Sequence, residues 1–261
     1  MELRMNGRNA IVTGGSKGIG LAIARSFAEA GANVAVVARQ QQGLDAARSV
    51  IAAAAKNTKV VTVAADVGTA EGCRKAYETA DKAFGQIDVL VNNAGTSQRG
   101  PFVEITDELW QHDIDLKVFA AIRLCRLAFP GMKARRWGRI INILNTGAKA
   151  PQPNGAPTAV TRAAGMALTK ILSGEGAPHN VLVNGLLVGN IESNQWEVRH
   201  AKEGKGRSLE DFYAEMGKRI PMGRVGTAQE FANMALFLAS DAGSYVTGTA
   251  INIDGGLTPV V

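Results

Sequence analysis

Seven apolar, β-branched runs recur along the chain, separated by segments whose apolar residues fall at three- and four-residue intervals. Most runs are continuous rather than alternating, so both faces of each predicted strand should be buried, as in a parallel sheet covered by helices. The predicted strands are 10–13, 33–38, 60–64, 87–91, 139–144, 181–187 and 250–253. The predicted helices are 19–30, 44–55, 71–84, 107–135, 161–175 and 228–240. This order predicts an α/β fold: a doubly wound, seven-stranded parallel sheet with helices on both faces and ligands at the carboxyl edge of its strands.

The length of the chain fits one domain with one large core. It has 261 residues, of which 46% are hydrophobic and 20% charged, and no internal repeat or linker divides it. Residues 1–261 are therefore predicted to form a single domain. Segment 190–221, rich in Glu, Lys and Gly, is predicted to be a mobile, lid-like helical insertion over the ligand site. Its Trp196 and Phe212 are expected either to line an apolar pocket or to pack the insertion onto the body.

Charge and cysteine content restrict the possible partners. A net charge of +6 indicates an anionic partner. The basic segment 133–139 fits a nucleic-acid contact, but it fits equally well a helix end, where cations offset the macrodipole, and we predict no nucleic-acid partner. Cys73 and Cys125 cannot build a disulfide framework, and no Cys/His cluster indicates a metal site. Because the sequence has no signal-like start and no apolar run of about 18 residues, it predicts a cytoplasmic protein without a membrane partner.

The first predicted strand runs into a glycine-rich turn, residues 13–20, which precedes a helix. Gly14 and Gly18 permit a tight turn and a close approach of the backbone to a pyrophosphate, and Gly20 permits close packing of helix and strand. The helix N-terminus adds unpaired N–H groups and positive potential. The turn therefore predicts a bound nucleotide, the alternative being a strand–helix turn without a ligand.

The same turn contains a second motif, Gly-x-Ser-x-Gly around Ser16, which is typical of the nucleophile of α/β hydrolases. A hydrolase also needs an acid and then a histidine further along the chain. The three histidines, His112, His179 and His200, have no recognisable motif around them. The hydrolase hypothesis is therefore weaker than the nucleotide hypothesis.

The second predicted strand indicates which nucleotide is preferred. Sites for NAD place an acidic residue at the end of this strand, where it binds the ribose 2′-hydroxyl. Here the strand ends in Ala38 and Arg39, and Lys17 lies within the glycine turn. Two cations are thus expected where a 2′-phosphate would lie, which favours NADP over NAD.

Three further motifs follow the glycine turn: Asp66-Val67 after the third predicted strand, Asn92-Asn93-Ala94-Gly95 at the end of the fourth, and the chain end. In this order, the four motifs resemble those of the single-domain short-chain dehydrogenases/reductases, a family with a Rossmann fold. The resemblance covers nearly the whole chain and implies an oxidoreductase acting on a small-molecule carbonyl or hydroxyl compound. The chain end, 245–256, resembles the family's last strand and implies a homodimer or homotetramer. The cofactor-binding residues that the resemblance implies, together with those above, are Gly14, Ser16, Lys17, Gly18, Ile19, Gly20, Arg39, Asp66, Val67, Asn93, Ala94, Gly95, Arg162, Gly189, Ile191 and Ser193. Among them, Asp66 matches the family's adenine-contacting aspartate, and Ser193 replaces a threonine near the nicotinamide.

The catalytic positions depart from the family pattern. Aligning the segment after Pro157 with the family's Tyr-x-x-x-Lys motif places Thr158 at the tyrosine and Arg162 at the lysine. Counting back places Asn145 at the family's serine and Lys117 at its asparagine. No Tyr-x-x-x-Lys sequence occurs anywhere in the chain.

These replacements change the expected chemistry. A threonine hydroxyl is a far weaker acid than a phenol and its side chain is shorter, while arginine stays charged and cannot relay a proton. Arg162 can still bind the nicotinamide ribose, and Asn145 can still donate to a carbonyl oxygen. If Lys117 points inward, it is the candidate for the proton donor; otherwise it is an exposed lysine on a long helix. A positioned acid typically contributes about 10²- to 10⁴-fold in rate, so hydride transfer need not be lost.

Two hypotheses of different classes follow from the sequence. The first is an NADP(H)-dependent short-chain oxidoreductase with a non-standard proton donor. The second is a catalytically silent NADP(H)-binding protein, serving as a sensor or a partner subunit. Turnover of NADPH with any carbonyl compound distinguishes the first from the second.

Overall fold

The computed structural model describes residues 3–55, 57–203 and 206–261. In this part of the chain seven parallel strands form one sheet in the order β3-β2-β1-β4-β5-β6-β7. The strands are β1 (Asn9–Thr13), β2 (Asn33–Ala38), β3 (Val60–Ala64), β4 (Val89–Asn92), β5 (Gly138–Asn145), β6 (Val181–Val188) and β7 (Ala250–Ile253). The predicted doubly wound sheet is confirmed. The chain order reverses between β1 and β4, where ligands bind in such sheets.

Helices cover both faces of the sheet. They are α1 (Gly18–Glu29), α2 (Gln41–Ala54), α3 (Ala70–Phe84), α4 (Asp107–Ile114), α5 (Ala120–Arg135), α6 (Thr158–Gly176), α7 (Asn194–Glu203), α8 (Leu209–Gly217) and α9 (Ala228–Ala239). One apolar core lies between the sheet and helices α1, α2 and α9, and a second lies between the opposite face and helices α3 and α5. The strand runs are continuous in sequence because the central strands, β1 and β4, are buried on both faces.

Local capping signals explain where several helices begin and end. Thr69 accepts a hydrogen bond from Gly72 N at the start of α3, and Gly85, with φ of +82°, ends that helix. Thr227 and Glu230 form a capping box at the start of α9. These short side-chain-to-backbone bonds replace the partners that the terminal N–H groups lack.

The prediction of one continuous helix over 107–135 was wrong in its middle. Residues Asp115–Phe119 form a π-helical turn between α4 and α5. A π turn inserts an extra residue, which rotates the following side chains relative to those before it, and such turns are common at functional sites. Lys117 lies within this turn and is buried.

Segment 190–221 contains two helices, α7 and α8, and its residues 204 and 205 lie outside the described residues. The Trp196 and Phe212 rings lie 6.5 Å apart, and Phe212 is buried. Trp196 is half-buried and also lines the cleft described below. None of the described helices combines the length and the apolar character that a membrane crossing requires.

Candidate active site

The turn between β1 and α1 adopts a conformation that requires glycine. Gly14 and Gly18 have φ values of +63° and +53°. A Cβ on Gly20 would lie 2.3 Å from Gly14 O. Asn93, after β4, supports the turn, because its Nδ2 donates to Thr13 O at 2.8 Å and to Gly14 O at 3.1 Å. The chain ends of β1 and β4 are thus joined by side-chain hydrogen bonds.

Thr13 completes this connection, a role that the sequence analysis did not assign. Its hydroxyl donates to Val91 O at 3.3 Å and accepts from the backbone N–H groups of Asn93 and Ala94, each at 3.0 Å. Asn93 and Ala94 therefore shape the site through the position of the glycine turn.

The start of α1 is suited to an anion. Lys17 is the N-cap residue and forms no side-chain cap hydrogen bond, and the first turn of α1 carries no acidic residue. The N–H groups at this end are therefore left for another partner. Arg39, directly after β2, and Lys17 are both exposed and line the same cleft.

This cleft, with a volume of about 910 Å³, runs along the carboxyl edge of the sheet. It brings together residues from the glycine turn, the ends of β4, β5 and β6, the start of α6 and the segment that carries α7 and α8. The predicted site residues that line it are Gly14, Ser16, Lys17, Gly18, Ile19, Gly20, Arg39, Asn93, Ala94, Gly95, Asn145, Thr158, Arg162, Gly189, Ile191 and Ser193.

Three predicted site residues lie outside the lining of the cleft: Asp66, Val67 and Lys117. Asp66 is exposed after β3, and its Oδ1 accepts from Gly68 N at 2.9 Å. Val67 is buried in the core. Since β3 is an edge strand two positions from β1, this end of the sheet lies beyond the cleft. Contact of Asp66 with a cofactor adenine stays a prediction.

Lys117 lies behind Thr158 in a buried polar cluster. Its Nζ donates to Thr158 Oγ1 at 2.8 Å and forms an ion pair with Asp113 Oδ1. The side chains of Lys117 and Asp113 are 0% and 1% exposed. Thr161 Oγ1 donates to the other Asp113 oxygen at 2.7 Å, and Gln98 N donates to Thr158 Oγ1 at 2.9 Å. Thr158 lines the cleft and Lys117 does not, so this hydrogen bond connects the lysine ammonium to a residue of the cleft lining.

Burial lowers the pKa of Lys117 to about 8, and the positive charge of Arg162 acts in the same direction. Hydrogen bonding and attraction from Asp113 oppose both effects. The pKa of the Lys117 ammonium group is thus close to neutral pH, which is where a general acid works best.

Arg162 is held from within the protein. Its Nη1 donates to Ile143 O, and burial lowers its pKa to about 10, while the Asp113 charge acts in the opposite direction. Two buried atoms of residues that line the cleft, Arg162 Nε and Asn145 Oδ1, have no hydrogen-bond partner among the described residues. Buried polar groups are normally paired, so these atoms indicate that a ligand is expected here.

Sequence reasoning missed Asp113 and Gln98. Asp113 precedes Lys117 by four residues, the spacing of a helical ion pair, and this signal was available. The sequence contains no signal for Gln98, because this residue contacts Thr158 Oγ1 through its backbone N–H and not through its side chain.

The hydrolase hypothesis requires a histidine near Ser16. None of the described residues that line the cleft around Ser16 is a histidine. His112 is exposed on α4, and His179 follows α6 next to the start of β6. His200 Nε2 contacts Arg207 O at 2.8 Å.

Comparison with known proteins gives consistent matches over the whole chain. The family model described as enoyl-(acyl carrier protein) reductase matches residues 14–258. Oxidoreductase UcpA of Escherichia coli (strain K12) is 34% identical over 256 residues, which cover 98% of this chain and 96% of that protein.

Among solved structures, that of L-sorbose reductase from Gluconobacter frateurii, complexed with NADPH and L-sorbose, is 35% identical, with a TM-score of 0.95 and full coverage of both chains. The NADPH-bound structure of a short chain oxidoreductase from Pseudomonas aeruginosa PAO1, described as containing an atypical catalytic center, is 35% identical, with a TM-score of 0.91. The match covers 99% of this chain and 100% of that one.

Proposed function

The chain belongs to the short-chain dehydrogenase/reductase family, and from this premise we propose that it is an NADPH-dependent carbonyl reductase whose proton reaches the substrate through Lys117 and Thr158. The observation that carries the proposal is the 2.8 Å hydrogen bond from the buried Lys117 ammonium to the hydroxyl of Thr158, a buried residue that belongs to the lining of the cleft. Thr158, which we align with the family's catalytic tyrosine, is thus hydrogen bonded to Lys117, the proposed acid.

The cleft fits NADPH in several independent ways. Gly14 and Gly18 have the positive φ values of a tight turn, and the N-terminus of α1 has no acidic residue or side-chain cap and would accept a pyrophosphate. Lys17 and Arg39 would pair with the 2′-phosphate, and Arg162, with its unpartnered Nε, would bind the nicotinamide ribose. Gly189, Ile191 and Ser193 would hold the nicotinamide amide end. NADPH, when bound, supplies a hydride to the carbonyl carbon.

We expect the two cations near the 2′-phosphate to decide the choice of cofactor. Changing Arg39 to alanine should weaken NADPH binding about 10-fold or more and leave NADH binding unchanged, because a charged hydrogen bond contributes about 1.5–3 kcal/mol. Fluorescence titration of both cofactors measures this. Arg48→Ala, on the exposed face of α2, is the matched control. Equal losses for NADPH and NADH would contradict the assignment.

The Thr158 hydroxyl is oriented by its two donors. Lys117 Nζ and Gln98 N both donate to Oγ1, which occupies its lone pairs and leaves its own hydrogen to donate into the cleft. During reduction that hydrogen passes to the carbonyl oxygen while a Lys117 proton passes to Oγ1. Threonine is then regenerated, and Lys117 becomes neutral. The low acidity of an aliphatic hydroxyl is overcome because Oγ1 never carries a full negative charge.

The remaining residues position and polarise the substrate. The Asn145 amide, at the end of β5, would donate to the carbonyl oxygen and take the role of the family's serine. Asp113 keeps Lys117 oriented and raises the pKa of its ammonium group. Asp113 is therefore a positioning residue without contact to the substrate.

Removal of the Thr158 hydroxyl tests the proposal. Purified protein is incubated with NADPH and a panel of ketones, aldehydes and keto sugars, and NADPH consumption is followed. We expect turnover by the natural protein and a fall in kcat of about 10²- to 10⁴-fold in Thr158→Val, which keeps the side-chain shape. Thr62→Val, on the edge strand β3, is the control. NADPH binding without any turnover would instead support a silent binding protein.

Two features outside the reacting groups belong to the same proposal. The segment with α7 and α8 brings Gln195, Trp196 and Arg219 to the cleft, as expected of a cover over the substrate. Phe119, Val160 and Ile171, in the π turn and on α6, are 41%, 54% and 60% exposed. Such apolar groups on neighbouring helices support a homodimer or homotetramer.

A further inference from the structure

The charge of the cleft is one-sided. Among the described residues that line it there is no Asp or Glu, whereas five are cationic: Lys17, Arg39, Arg99, Arg162 and Arg219. A cleft lined by charges of one sign concentrates ligands of the opposite sign. The cofactor accounts for Lys17, Arg39 and Arg162 under the proposed function. The cofactor does not account for the charges of Arg99 and Arg219.

The backbone of Arg99 is held next to Thr158. Its backbone forms a β-bridge with Pro157, which precedes Thr158. The neighbouring Gln98 exchanges two hydrogen bonds with Thr158: its N–H donates to Oγ1 at 2.9 Å, and its carbonyl accepts from the Thr158 N–H at 3.4 Å. The side chain of Arg99 is exposed and makes no hydrogen bond or ion pair within the described part of the chain. Its charge is therefore held next to the reacting groups without a partner.

Arg219 also lines the cleft. It follows α8, where its backbone N–H donates to Met216 O at 3.3 Å. Its guanidinium forms no hydrogen bond or ion pair within the described residues. Glu215, whose pKa Arg219 helps to lower, is already paired with Lys218 at 2.6 Å. Arg219 is thus left to face the cleft.

We infer that the substrate carries an anionic group, a carboxylate or a phosphate, which Arg99 and Arg219 bind while its carbonyl faces Thr158 and Asn145. The inference rests on the proposed function for the place of the cofactor. A guanidinium presents its N–H groups in a planar fork that matches the oxygens of both anions. An anionic group of the substrate also neutralises cations that have no partner within the described residues. The substrate class is therefore an oxo acid or a phosphorylated oxo compound, rather than a neutral ketone.

Matched pairs of carbonyl compounds test this inference. The pairs are acetoacetate with methyl acetoacetate, 2-oxoglutarate with its dimethyl ester, and fructose 6-phosphate with fructose. We expect kcat/KM with NADPH to be about 10- to 100-fold higher for the anionic member of at least one pair. The first two pairs report on carboxylate recognition and the third on phosphate recognition. Equal or better reduction of the neutral members in all pairs would overturn the inference.

Variants then connect the preference to the two arginines. Arg99→Gln and Arg219→Gln should each raise KM for the anionic member about 10-fold and leave KM for the neutral member unchanged. Arg99→Lys and Arg219→Lys should restore part of the preference. Arg48→Gln, on the exposed face of α2, makes the same charge change away from the cleft and should have no effect. Unchanged preference in both glutamine variants would contradict the assignment.

A binding measurement separates failure of this inference from failure of the proposed function. The three anions and their neutral partners are added to NADPH-loaded protein, and the change in Tm is recorded. If no compound is reduced but an anion raises Tm in the natural protein and not in the glutamine variants, the reductase proposal fails and the anion site stands. If no anion is reduced or bound, the anion site is overturned.

Discussion

Replacing Lys117 with methionine is expected to lower kcat for carbonyl reduction by about 10²- to 10⁴-fold, while the Kd for NADPH changes little. Methionine has a similar length and fits a buried site, but it cannot supply a proton to Thr158. Lys117 lies outside the lining of the cleft, so the cofactor keeps its contacts. Steady-state kinetics and a cofactor titration measure the two effects separately. Lys82→Met, on the exposed face of α3, is the control for loss of one lysine.

The same substitution should also destabilise the fold, because it leaves the buried Asp113 carboxylate without its cation. Breaking a buried ion pair from one side costs about 3–5 kcal/mol. The double variant Lys117→Met with Asp113→Asn removes both charges and keeps an acceptor for Thr161. It should recover much of the stability in denaturant unfolding, but none of the activity. Recovered activity in the double variant would exclude Lys117 as the proton donor.

The pH dependence provides an independent measurement for the same lysine. A proton donor must be protonated, so the rate of reduction should fall as pH rises above the Lys117 pKa of about 8. Asp113 favours the charged form of the lysine, and its removal lowers that pKa further. The alkaline limb of the rate profile should therefore move to lower pH in Asp113→Asn. An unchanged limb would show that another group titrates.

Replacing Gly20 with alanine is expected to weaken NADPH binding by about 10- to 100-fold and to destabilise the fold by about 1–3 kcal/mol. The new Cβ would lie 2.3 Å from Gly14 O and 2.5 Å from Asn93 Nδ2. The flexible end of a side chain could move away, but the Gly14 carbonyl belongs to the turn that we propose to hold the pyrophosphate. The turn must therefore shift, and it carries its N–H groups with it.

Gly174 is the matched control for this substitution. It lies within α6, and a Cβ there meets nothing within 4 Å. Gly174→Ala should leave NADPH binding unchanged and stabilise the helix by about 0.5–1 kcal/mol, since alanine loses less backbone entropy than glycine. Thermal unfolding and cofactor titration of both variants test the prediction. Tight NADPH binding by Gly20→Ala would show that the turn does not hold the pyrophosphate.

Much of the fold was predictable from local patterns. The seven strands were located from continuous apolar runs, and the structure confirms that they form one seven-stranded parallel sheet. The helix over 107–135 was predicted as continuous because apolar periodicity averages over several turns and does not detect one inserted residue. The π turn at Asp115–Phe119 is such an insertion. It changes the direction in which Lys117 points, which the helical pattern could not predict.

Some residues of the candidate site were also predictable from the sequence, and others were found only in the structure. The glycines of the turn were recognised because positive φ values and close contacts leave few other residue types possible. Thr158 and Arg162 were located by position relative to a motif, and their roles stay predictions. Arg99 and Arg219 were not selected from the sequence, because an exposed arginine has no local signature. Only their place in the same cleft, without a carboxylate among the described lining residues, distinguishes them.

The sequence by itself determined the sheet and the glycine turn, since each depends on short-range sterics or on periodicity along a few residues. The anion at the end of β2 stays a prediction of the sequence. The tertiary structure decided what lies behind Thr158. Lys117 and Thr158 are 41 residues apart, and their hydrogen bond exists only because α6 packs beside the π turn. Burial in that packing also lowers the pKa of Lys117, because a charge removed from water is disfavoured. Whether a lysine is an ordinary surface cation or an acid is thus decided by its surroundings.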